Sequence, residues 1–156
     1  MAVRLGLEAV LYRNTGSYGS PVLLRVDNVK DVTLNLERNV ADVTTRGNEG
    51  WRANVGVLKD GTVDFTMVWN TDDVNFQAIR DAFLARSIAA GTIEFFVMSA
   101  DVDEADAEGL RASFMVTKFT KNEKLEEAQM VDVTIQPTIS DHAPQWVEGG
   151  PYAAFD

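Results

Sequence analysis

Residues Asn28–Trp69 read NVKDVTLNLERNVADVTTRGNEGWRANVGVLKDGTVDFTMVW, and both ends of this stretch alternate with period two. In a strand, successive side chains point to opposite faces. At the first end Val32, Leu34 and Leu36 share one face, while Asp31, Thr33, Asn35 and Glu37 share the other. At the second end Val63, Phe65, Met67 and Trp69 oppose Thr62, Asp64 and Thr66. The segment therefore predicts a sheet that buries one face and shows water a polar, acidic one. The acidic face of the first strand carries no basic side chain, so it is suited to lining something.

Working outward, Val29 to Glu37 and Val40 to Arg46 read as two strands with Arg38-Asn39 as a tight connection. Gly47 to Leu58 has three glycines and no period, and reads as a long loop of the kind that is often functional. Lys59-Asp60-Gly61 is a turn signal. After Trp69, the run Asn70-Thr71-Asp72-Asp73 supplies capping side chains for a helix over about 72–86, with Phe76, Ile79 and Phe83 on its apolar stripe. Gly91 to Ser99 reads as a strand covered on both sides, since Ile93, Phe95 and Val97 face one way and Phe96 and Met98 the other. Leu110 to Thr120 and Ala128 to Pro137 are the last long strands, with Val131, Val133 and Ile135 facing in and Asp132, Thr134 and Gln136 facing out. Leu7 to Arg13 is a further strand, followed by a turn-rich loop to Pro21. Residues 138–156 have no period and read as an extended C-terminal arm. The expectation is one mostly β domain over 1–156, a small sandwich or open barrel of six to seven strands with one packed helix.

Composition narrows the function. The chain has 156 residues, enough for one core without staples, and no cysteine, which removes disulfides, thiolate metal sites and thiol nucleophiles. No run approaches the ~20 apolar residues of a membrane-spanning helix. A soluble chain made in the cytoplasm is expected. A formal charge of −10 argues against tight binding of nucleic acid, which draws its affinity from Lys and Arg contacts to phosphate. Transient contact with DNA is still compatible with such a surface.

The single histidine, His142, reads as an ordinary surface residue, and no G-x-S-x-G nucleophile elbow accompanies it. The acidic run Asp101, Asp103, Glu104, Asp106, Glu108 lacks the ligand spacing of an EF-hand and reads as a solvated loop. No metal and no cofactor is expected. Trp51 stands apart, in a glycine-rich loop between Glu49-Gly50 and Arg52. It has two readings: a lid folded back on the core, or an anchor in a protein–protein contact, where Trp and Arg are enriched. Trp146 and Tyr152 in the arm raise the same question.

The pieces VKDVTLNLERNVADVTTRGNEGWRA, LKDGTVDFTMVWNTDDVNFQAIRDAFL and GLRASFMVTKFTKNEKLEEAQMVDVTIQPT, in that order, resemble the major tail tube proteins of long-tailed bacteriophages over about Asn28 to Thr138. The resemblance implies a non-catalytic virion protein whose six-membered rings stack into a hollow tube, with other tail proteins at its ends and DNA passing through. In such a tube the acidic strand faces are read as lining the lumen, with Asp31, Asn35, Glu37, Asp64, Asp132 and Gln136 as candidate lining residues, or else as the solvated outer face. Trp51, Arg52, Glu49, Trp146 and Tyr152 are then the candidate subunit interface. The alternatives are a monomeric ligand-binding β-barrel and a carboxylate-dependent hydrolase.

Overall fold

The computed structural model describes residues 9–101, 103–104, 107–123, 125 and 128–148. The strands, in chain order, are β1 (Val10–Asn14), β2 (Leu23–Arg25), β3 (Val29–Asp42), β4 (Asn54–Val68), β5 (Thr92–Met98), β6 (Glu108–Asn122), β7 (Met130–Pro137) and β8 (Gln145–Glu148). One helix, α1 (Val74–Leu84), lies between β4 and β5. All strands join one antiparallel sheet in the order β2-β1-β5-β6-β7-β4-β3, and β8 also pairs with β6. The mostly β fold with a single packed helix is as the sequence predicts.

The period-two pattern builds two cores on opposite sheet faces. Val63, Phe65 and Met67 of β4, Val131, Val133 and Ile135 of β7, Phe95 and Phe114 form the larger core beneath Phe76 and Ile79 of α1. Val10, Tyr12, Phe96, Met98, Ala100, Ala107 and Val147 form the smaller one. Phe95 and Phe96 are adjacent and both fully buried, so β5 is covered on both sides as expected.

The Asp73 carboxylate accepts the Phe76 amide at 3.1 Å and caps α1, satisfying a donor that the helix leaves free. The helix is shorter at each end than the expected 72–86, because Asp72 is held in a turn by the Asn70 side chain and Ala85 is extended. Phe83, expected on the buried stripe, is at its margin and stacks on Phe119.

The expected turn at Arg38-Asn39 does not exist. β3 passes straight through it, with a register shift between Arg38 and Val40. Lys59-Asp60-Gly61 is likewise mid-strand, paired with Arg38, Glu37 and Leu36. Its glycine answers a packing demand: a Cβ on Gly61 would lie 3.1 Å from Leu36 Cδ2, and one on Gly56 would lie 2.5 Å from Arg38 Cδ. The loop expected over 47–58 is consequently shorter, since β4 begins at Asn54. The predicted C-terminal arm contains a strand, β8, laid along the edge of β6 that β7 vacates.

β8 and the loop after β1 are pinned by a stack centred on Arg111, which is 2% exposed. Its Nε donates to Glu94 at 2.6 Å and its NH2 group donates to the Tyr18 carbonyl at 2.7 Å. The guanidinium lies 3.7 Å from the Tyr18 ring centre and 4.9 Å from that of Phe96. His142 stacks on the other side of Tyr18 at 3.5 Å, and Gln145 donates to the Tyr18 hydroxyl. His142 is therefore exposed but engaged in packing.

Two stability outcomes follow. Arg111→Ala leaves Glu94 without its partner and is expected to lower unfolding stability by about 3 kcal/mol or more in urea titrations. A Cβ on Gly109 would sit 2.0 Å from the Val97 carbonyl oxygen. That contact is with backbone that cannot rotate away, so Gly109→Ala is expected to cost at least the upper end of about 1–3 kcal/mol.

Candidate functional site

Two surfaces concentrate the candidate residues. The first is the sheet face opposite α1. Asp64 on β4 is the register partner of Thr134 on β7, and Thr66 is that of Asp132. The Thr134 hydroxyl donates to Asp64 Oδ1 at 2.6 Å, and Asn35 Nδ2 on β3 approaches Oδ2 at 3.4 Å. The Thr66 hydroxyl donates to Asp132 Oδ1 at 3.0 Å, and Asn122 Nδ2 on β6 donates to Oδ2 at 2.7 Å. Both carboxylates thus accept at both oxygens, in a ladder crossing four strands. Asn35, Asp64 and Asp132 are brought together, and Gln136 continues the same face of β7.

Asp31 and Glu37 are not part of this ladder. Asp31 sits in a left-handed backbone conformation (φ 56°) where the β3–β4 register slips between Lys30 and Thr33, while Val32 and Leu34 pack against the larger core and Thr33 pairs with Asp64, as the alternation predicts. Glu37 is opposite Asp60, beyond the covered part of the sheet. Sequence reasoning missed the hydroxyl and amide donors Thr66, Thr134 and Asn122, and it missed Lys118. A register shift between Val116 and Lys118 turns Lys118 onto the ladder face opposite Thr134. The threonine alternation was a usable signal; the shift left none.

The second surface is an arm. β7 pairs with β4 only from Val63 to Val68, so Asn54–Thr62 and the facing half of β3 form a two-stranded ribbon. Leu36, Val40, Val55, Val57 and Leu58 are exposed along it. At its end a single 3-10 turn, Arg46–Asn48, is followed by Glu49 and Gly50, both with positive φ. The Asp42 carboxylate accepts the Thr44 amide and hydroxyl, and Thr44 Oγ1 accepts the Ala53 amide at 2.9 Å. Trp51 is 77% exposed, which excludes the lid reading. Glu49 and Arg52 flank it, also exposed. Trp146 lies elsewhere, on β8, with its indole N–H on Glu108 Oε1 at 3.1 Å. Tyr152 lies outside the described residues.

A shallow groove of about 270 Å³, open to solvent, lies where the end of α1 meets the sheet, between Phe83, Ile88 and Met115. Among the described residues no group of three or more His, Asp or Glu is placed to hold a metal ion.

A family model described as phage tail tube protein matches residues 8–138. Among solved structures, the tail of an empty gene transfer agent particle, refined with C6 symmetry, aligns at a TM-score of 0.70 and 16% identity over 93% of this chain and 99% of that chain. The SPP1 tail tube aligns at 0.70 and 11% identity over 95% of this chain and 80% of that one. The baseplate of the anti-feeding prophage aligns at 0.55 and 6% identity, over 90% and 91%. No curated protein sequence matches the chain.

The Thr44 contacts hold the Asp42 carboxyl below its usual range. A depressed folded value means the contribution is complete above the unfolded pKa of about 3.9 and is lost only as pH falls through the lower folded one. Protection of the Thr44 and Ala53 amides from exchange, relative to an unstructured chain at the same pH, is expected to hold as pH falls past about 3.9 and to be lost only through the lower folded value. Asp42→Asn should lower it already at neutral pH.

Proposed function

Because the chain belongs to the phage tail tube protein family, and so is a virion structural protein of phage-like tails, we propose that it assembles into six-membered rings stacked as a hollow tube for DNA. The observation that carries this reading is the open sheet. One edge, β3, is 14 residues long, and the other, β2, is only three. Exposed edges invite pairing with other chains, and closure abolishes them. Pairing between unlike edges is head-to-tail, which closes into a ring when the rotation allows. The C6 symmetry of the gene transfer agent tail, a chain of similar fold, supports six copies.

The ladder face then lines the lumen. Its carboxylates, Asp64 and Asp132, are fixed by hydrogen bonds and remain half-exposed, while Lys118, opposite Thr134, and Lys30, opposite Thr66, are cations placed beside them in register. Such a wall repels phosphate within a Debye length of about 8 Å, so DNA slides without being held. The arm, with Trp51, Arg52 and Glu49, grips a neighbouring copy. The role is structural, with no catalysis and no cofactor, and other tail proteins meet the tube at its ends.

Electron microscopy of the purified protein at high concentration is expected to show rings or tubes. Monomers alone would argue for a small binding protein instead. Asp64→Lys with Asp132→Lys is expected to leave particles that assemble but deliver DNA at least about tenfold less well, the effect of about 1.4 kcal/mol. Assembled particles with unchanged delivery would remove the lumen assignment.

A further inference from the structure

We propose that the arm tip of one copy docks through Arg46 and Arg52 on the corner formed by Glu108, Trp146 and Glu148 of a second copy beside it in the same ring. The inference rests on the reading of the chain as a self-assembling tube subunit, and adds which surface receives the arm and in which direction.

The donor side is charged against the trend of the molecule. Residues 43–59 hold Arg46, Arg52 and Lys59 against Glu49 alone, a net +2 in a chain of net −10. Arg46 and Arg52 are exposed, and among the described residues neither forms an ion pair. The turn Arg46–Asn48 and the Trp51 amide bond to Asn48 hold them on an ordered loop with an exposed indole between strands.

The receiving side has the opposite deficit. Glu108 and Glu148 are direct register partners across β6 and β8. Like charges directly opposite destabilise a strand pair, so this placement asks for a cation. The nearby Arg111 cannot serve, being buried and engaged with Glu94 and Tyr18. Trp146 is 54% exposed, its indole N–H on Glu108. Asp101 and Asp103, in the segment leading into β6, add further acids. Two carboxylates beside an aromatic face match a guanidinium, which can bond in plane and stack at once.

Direction follows from register. Val63 is opposite Ile135, and the arm continues past Val63 the way β7 continues towards β8. Tip and corner therefore lie at the same end of the sheet, although among the described residues no hydrogen bond or ion pair joins them within one chain. With the strands running along the tube, as ring closure through the sheet edges requires, stacked rings set opposite ends against each other, whereas side-by-side copies set like ends together. The contact is thus between neighbours in one ring.

The chain has no cysteine, so Arg52→Cys with Glu148→Cys gives a clean cross-link. Oxidised tubes are expected to give a denaturing-gel ladder that stops at the hexamer. No ladder, or one that continues past six copies, would overturn the docking or its direction. As a second arm, Arg46→Glu with Arg52→Glu, and separately Glu108→Lys with Glu148→Lys, should each cut sedimentable tubes about tenfold or more, since like charges across an interface are repulsive. The four changes combined should restore them. Circular dichroism checks folding of each variant. Folded variants that assemble like wild type, or a combination no better than its parts, overturn the proposal while wild-type tubes leave the tube reading standing. A wild type that never leaves the monomer overturns both.

Discussion

The backbone of β4 beyond Val63 has only β3 to bond to, and much of the molecule's surface follows from that. β7 stays with β6: it ends at Pro137, which has no amide to offer, and the Thr138 amide bonds to Ser113 on β6. β8 then resumes pairing on the same edge of β6. The outer half of β4 is left as one strand of a ribbon about 30 Å long. A two-stranded ribbon is marginal by itself. Its exposed Val40, Val55, Val57 and Leu58 are therefore a surface that needs a partner, and the glycines at 56 and 61 let Arg38 and Leu36 lie flat across it meanwhile. The same departure leaves both edges of the ribbon unpaired, which a second copy of the chain is suited to cover.

The ladder face shows how charge can be displayed without being available. A carboxylate on a flexible stem would pair with any passing cation. Asp64 and Asp132 instead spend both oxygens on Thr134, Asn35, Thr66 and Asn122, four donors with short side chains. The result is a wall of small, fixed groups whose charge acts through space while its hydrogen bonds are used internally. Lys118 owes its place there to the strand irregularity before it.

What was legible in the sequence was whatever depended on period two over a covered sheet. Val131, Val133 and Ile135 were placed correctly, and so were Phe95 and Phe96 on opposite faces, because burial leaves no alternative for residues of that kind. Errors came where local chemistry and long-range pairing disagree. Lys59-Asp60-Gly61 has turn propensity, but a partner strand overrode it. The slip before Lys118 inverts the β6 faces beyond it, that at Asp31 takes this residue out of the ladder, and one extra residue leaves no mark in composition. β8 has four residues and β2 three, too few for a pattern. The acids of the ladder were visible; their donors were not, since a threonine on a solvent face reads the same whether or not a carboxylate lies across from it.

The Arg111 stack explains why β8 can bear a load despite its length. Four paired residues alone hold a strand weakly. Here the Phe96, Arg111, Tyr18 and His142 side chains form consecutive layers, so β5, β6, the loop after β1 and the segment before β8 are fastened by one column. Gln145, the first residue of β8, is tied to the Tyr18 hydroxyl. Glu108, Trp146 and Glu148 therefore stand on a strand pair whose other end is anchored in the interior. A surface fixed before contact loses little freedom on binding, and more of its attraction remains as affinity. The buried cation that cannot reach a neighbour thus positions the carboxylates that can.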